Sequence, residues 1–127
     1  MRRTTALIAA LLACVAAAAP AAANAAQTIS ASPRTIATTD IQTVRGRGWP
    51  VIEFCSRTVR FFVRSAQNSA PVTQRHVRDS GRFTFRWIPQ NKNIGAGSWR
   101  LVARMRCESG RDGSTFFVRA STRITIN

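Results

Sequence analysis

Arginine recurs at spacings of two or four residues, always on one side of a two-residue alternation, in three stretches of this 127-residue chain. Arg60 and Arg64 flank Phe62. Arg100, Arg104 and Arg106 alternate around Val102, and Arg119 and Arg123 follow Phe117. A guanidinium presents its donors in a planar fork that grips phosphate, sulfate or carboxylate through two bonds at once. A phenylalanine beside it can stack or wedge against sugars, bases or lipid. The chemistry open to these residues is recognition of anions.

Bond-making chemistry has less to work with. His76 is the only histidine, and no serine or cysteine stands in a recognisable nucleophile elbow, so a hydrolytic triad has no base beside a nucleophile. Asp40, Glu53, Asp79, Glu108 and Asp112 are scattered, which does not provide the two positioned carboxylates of acid–base pairs. Asp79 and Asp112 fall in turn-like segments and are expected to bond the backbone there. One histidine and no Cys-x-x-Cys make a metal site unexpected, and no cofactor is implied. The expectation is a protein without catalytic residues.

Cys55 and Cys107 carry a different chemistry. Residues 1–25 read as a cleavable export signal: Arg2 and Arg3, an uncharged run over 6–19, Pro20, then the small-x-small Ala23-Asn24-Ala25. The run is too short to span a membrane, which takes about 20 apolar residues. An alternative reading takes Leu11-Leu12-Ala13-Cys14 as resembling a lipobox, which would anchor the protein by a lipid on Cys14. Either path removes Cys14 from the count of free thiols and delivers the folded domain, 26–127, outside the cytoplasm, secreted or held at the cell envelope. An even pair of cysteines in an exported domain reads as one disulfide, Cys55–Cys107. Glu53 and Glu108 flank those cysteines, so the bridge is expected to bring them together, with Arg57 or Arg106 as partners. Arg2 and Arg3 leave with the signal. Seventeen of the nineteen basic residues then face five acids, a net charge of +12 that attracts polyanions.

The 102 residues after the signal suit one domain. They show period-two alternation and no helical period. Strands are expected over 27–32, 40–45, 58–65, 72–78, 82–88, 98–107 and 115–126, with 51–54 a short strand or a packed loop. Val59, Phe61 and Val63 point inward, as do Phe83, Phe85 and Trp87, and Trp99, Leu101, Ala103, Met105 and Cys107. The last strand turns Phe116, Val118, Ala120, Ile124 and Ile126 inward. Segment 72–78 has mixed faces and fits a sheet edge, with His76 on the surface. About seven short antiparallel strands separated by turns describe an all-β sandwich.

Two motifs sharpen that class. Ile29-Ser30-Ala31-Ser32-Pro33 followed by Ile41-Gln42-Thr43-Val44-Arg45-Gly46-Arg47-Gly48-Trp49 resembles secreted bacterial immunoglobulin-like modules of the TIG type, which open on I-x-x-x-P and continue V-x-V-x-G-x-G-[FW]. The match covers about 20 residues, and Ala37-Thr38-Thr39-Asp40 departs from the Pro-Gly or Gly-Gly turn usual there. The chain is similar also to the apoproteins of enediyne antibiotics, secreted seven-strand sandwiches that are acidic and carry two disulfides. The resemblance implies an immunoglobulin-like β-sandwich with a binding or spacing role, and it transfers no functional residue.

In such a sandwich the third, sixth and seventh strands usually share a sheet. Their outward residues would then form one face: Arg60, Phe62 and Arg64; Arg100, Arg104 and Arg106; Phe117, Arg119 and Arg123, with no acid among them. Like charges side by side give the fold nothing, so this face is the expected site for an anionic polysaccharide, lipid headgroups or extracellular nucleic acid. Two alternatives are a purely structural module and a small-ligand carrier with a cleft at Trp49 and Phe54.

Overall fold

The computed structural model of the chain describes residues 26–127. The signal segment and Cys14 lie outside the described residues. Where apolar and polar residues alternate, strands form: β1 (Thr28–Ser32), β2 (Thr35–Ile36), β3 (Gln42–Arg47), β4 (Cys55–Arg64), β5 (Ser69–His76), β6 (Phe83–Trp87), β7 (Gly97–Glu108) and β8 (Thr115–Ile126). A single 3-10 turn, Pro89–Lys92, is the only helical piece among the described residues. One sheet has the order β1-β3-β6, the other β2-β8-β7-β4-β5. All pairings are antiparallel except the two-residue β2, which lies parallel to β8 and brings the number of strands to eight. Segment 51–54 is loop, not strand.

The two sheets pack face to face through aromatic rings. Phe61 of β4 meets Phe83 and Phe85 of β6 at centroid distances of 5.1 and 4.5 Å. Val59, Val63, Leu101, Met105, Ile124 and Ile126 surround them, all buried. Each such side chain contributes roughly 1.5–3 kcal/mol on burial. The Gly-x-Gly-Trp motif belongs to this packing more than to a turn. Gly46 lies inside β3, and a Cβ there would overlap the ring of Phe83. Gly48 has a φ of 75°, so the strand turns away after it. Trp49 then packs on Phe83 at 5.7 Å, and its Nε1 donates to Thr28 O at 3.2 Å. Of the two aromatics expected to line a cleft, Trp49 is buried in the core and Phe54 is half exposed beside a small depression with Glu53 and Arg106.

One buried polar group needs a partner on each side and has both. Gln42 Oε1 accepts from Trp87 Nε1 at 2.9 Å, and Gln42 Nε2 donates to Pro33 O at 2.7 Å. That bridge ties the β1–β2 connection to β6, and it satisfies groups that would otherwise cost about 1–3 kcal/mol each.

Sheet lengths differ sharply. β7 and β8 have 12 residues each, or roughly 40 Å of strand, whereas β1, β3 and β6 have five or six. The long hairpin overhangs its cover. Phe116 takes the inward side of β8 as the alternation requires, yet it is 47% exposed because no strand lies beneath it, and Phe54 and Ile52 are exposed in like measure. The disulfide sits close by, joining Cys55 to Cys107, which face each other directly across β4 and β7.

Two variants test this packing. Gly46→Ala should cost about 1–3 kcal/mol in chemical denaturation by overpacking against Phe83, and Phe83→Leu should relieve part of that loss in the double variant. The disulfide closes a loop with a sequence separation of 52, and breaking it should cost about 4 kcal/mol by loop entropy, read as the difference in urea midpoint with and without reductant.

Candidate functional site

Burying Phe61, Val59 and Val63 on β4 sends Arg60, Phe62 and Arg64 to the opposite side, because strand side chains alternate strictly. The same rule acts on β7 and β8. Strands β4, β7 and β8 are direct neighbours, so all nine residues picked out by alternation stand on one outer sheet face. Their register is specific. Arg60, Arg104 and Arg119 form one row across three strands. Phe62, Val102 and Ser121 form the next, and Arg64, Arg100 and Arg123 the third. Arg106 pairs with Phe117 at the far end.

Facing arginines on adjacent strands repel, by up to about 1 kcal/mol per pair. The phenylalanines offset this. Arg104 lies over both rings, 4.6 Å from the centroid of Phe117 and 5.7 Å from that of Phe62. Arg119 covers Phe117 at 5.8 Å and Arg64 covers Phe62 at 5.3 Å. A cation over a ring contributes about 0.5–1 kcal/mol at an exposed site, so the two effects nearly cancel. The rings hold the guanidinium groups in place without neutralising them. Arg100 is steadied differently, donating to Ser121 Oγ at 3.1 Å. Phe117 remains 40% exposed and Phe62 is half-buried.

Acids contribute little here. The single ion pair among the described residues joins Arg57 to Asp79 at 3.0 Å, away from this face. That pairing replaces the one expected between Arg57 and Glu53 or Glu108. Arg57 has a φ of 68° where β4 bulges against β7, which swings its side chain toward Val77 O and Asp79. The face does have one acid at its end. β7 continues one residue past Cys107, and outward-facing Glu108 borders a small depression with Glu53 and Arg106. Asp112 behaves as a turn residue, accepting from Ser114 N at 2.9 Å, and that backbone bond lowers its carboxyl below the usual range.

Shallow depressions open between the arginines. One of about 650 Å³ is bounded by Arg60, Arg104, Arg106 and Phe117, with Thr58 and Gln74 among its polar neighbours. A second, of about 290 Å³, lies between Arg64, Arg100, Arg104 and Arg119 over Phe62. Among the described residues no group of three His, Cys, Asp or Glu side chains could hold a metal ion, and no helix is long and apolar enough to cross a membrane.

Charge repulsion across the first row has a measurable consequence. Arg60 has neither a ring nor an acid to hold it, so Arg60→Thr should raise stability by about 0.5 kcal/mol at low salt. The gain should fade in 0.5–1 M salt, where the Debye length is only about 3–4 Å, in thermal melts run across a salt series.

No protein-family model, curated protein or solved structure matches the chain, so what this face does must be judged from its own charge and geometry.

Proposed function

We propose that this protein is an exported immunoglobulin-like module that binds polyanions through the outer face of β4, β7 and β8, without catalysing a reaction. The observation that carries the reading is the registered arginine array: seven guanidinium groups on three adjacent strands, steadied by Phe62 and Phe117 and without an ion-paired acid among the described residues. A fold gains no stability from such an arrangement, whereas an anionic polymer neutralises it and releases counterions.

Export is supported by the leader over 1–25 and by the Cys55–Cys107 bridge, since disulfides persist in oxidising compartments. The immunoglobulin-like assignment draws on strand order. A three-stranded β1-β3-β6 sheet faces β8-β7-β4-β5, with the TIG-like Gly-x-Gly-Trp closing β3. The disulfide departs from antibody domains, where the bridge crosses between sheets; here it joins neighbours within one.

The deciding comparison is elution from heparin. Arg64→Ser/Arg104→Ser/Arg119→Ser removes one guanidinium from each strand of the face. Arg34→Ser/Arg45→Ser/Arg86→Ser removes the same charge from exposed positions elsewhere. The face variant should lose about 2–3 in the slope of log affinity against log salt, and the control much less. Equal losses would mean diffuse charge and a structural module.

A further inference from the structure

We infer that the face is a two-site cradle for a linear acidic polysaccharide lying along β7, with Arg104 shared between the sites. This rests on the polyanion reading and adds to it the ligand's class and its minimum length. The rows Arg60-Arg104-Arg119 and Arg64-Arg100-Arg123 are four residues apart along their strands, or roughly 13 Å. Between them lies an uncharged row, Phe62, Val102 and Ser121. The long side chains gather their charge around two depressions that share Arg104, one beside Arg60 and Arg106 and one among Arg64, Arg100 and Arg119, a pattern that a single small anion fills only in part and a chain of spaced anionic units fills whole.

Arg104 joins the clusters. It borders both depressions, and its guanidinium lies between the rings of Phe62 and Phe117. Held there, it has less rotamer freedom to lose on binding than a free arginine, which loses about 0.5–1.5 kcal/mol. It is also the least exposed arginine of the array, half-buried where the others are exposed.

The rings narrow the choice of polymer. Single-stranded nucleic acid binds by stacking bases on bare aromatic faces. Both rings here already carry two guanidinium groups each. Membrane docking needs apolar side chains that project into the acyl boundary. Phe62 is instead half-buried beneath Arg64 and Arg104, and Phe117, though 40% exposed, lies under Arg104 and Arg119. The remaining lining is polar and uncharged: Ser56, Thr58, Gln74 and Thr115 in the larger depression, Ser121 in the smaller. These groups donate to and accept from hydroxyls, as a sugar ring requires.

Titration calorimetry on the full chain, expressed with its leader in place and purified oxidised, tests this with heparin fragments of defined length. A hexasaccharide long enough to reach both rows should bind one to one and at least about tenfold tighter than a disaccharide. Arg104→Gln should abolish that length advantage. Arg64→Ser/Arg100→Ser should bring the hexasaccharide down to disaccharide affinity while sparing the disaccharide. Two hexasaccharides bound independently per chain, or a gain of only the statistical two- to threefold, would overturn the cradle and leave the polyanion reading intact. Tighter binding of an oligothymidylate of equal charge, or of vesicles containing phosphatidylglycerol, would overturn the polysaccharide assignment. No probe binding above the level of the Arg64/Arg104/Arg119 variant would remove both readings together.

Discussion

The contact on which the rest depends is Phe61 wedged against Phe83 and Phe85, with Gly46 leaving room for the Phe83 ring. It joins the two sheets at their centre and sets which side of β4 is the inside. Because side chains alternate along a strand, fixing Phe61 inward leaves no freedom for its neighbours. Arg60, Phe62 and Arg64 must face out, and pairing then carries the same polarity to β7 and β8. The arginine face is the reverse side of the core, and neither can be altered in register without the other.

A sheet with arginines on one side and a dry core on the other has an energetic problem on its outer surface only. The core contributes its burial regardless of what lies outside, and the outer repulsion is softened by rings that attract cations without adding negative charge. A glutamate at position 62 or 117 would relieve the repulsion better. It would also occupy the guanidinium forks that an external anion needs. Phenylalanine stabilises the array and leaves it charged, which is the combination a receptor for anions calls for.

Much of this was legible in the residues themselves. Strands β7 and β8, and β4 from Val59 onward, show uninterrupted alternation, so both their faces follow from period two alone, and their limits follow to within one residue except at the start of β4, where the bulge at Arg57 interrupts the pattern. The face could be assembled once those strands were neighbours. β5 was harder because Pro71 lacks an N–H and its strand bulges against β4. Phe61 pairs with Thr73 and Phe62 with Pro71, so Val72 is an extra residue that turns inward and breaks the period. β2 is two residues long, and no pattern shows in two residues. The exposure of Phe116 depends on the short strands opposite, a fact of tertiary structure that its own segment does not contain. Glu108 was hidden by a strand boundary off by one, and the Arg57–Asp79 pair by a bulge that local sequence does not announce.

The arginines also help to specify the fold that displays them. A slip of one residue in β4, β7 or β8 would carry two or three guanidinium groups into the core at once. Each is costly to bury without a partner, by several kcal/mol, whereas the same slip in a strand of alternating serine and valine would lose only packing. Cys55 and Cys107, directly opposed across β4 and β7, fix the same register covalently at one end of those strands. The bulge that holds Arg57 lies between the bridge and the paired run from Val59 to Arg64, so the bridge alone does not set the pairing of Arg60 with Arg104. That pairing is held by the alternation of apolar and arginine residues. The groups that weaken the folded state by repulsion are therefore among those that exclude its nearest competitors, and a face crowded with arginines is compatible with a single, well-defined register.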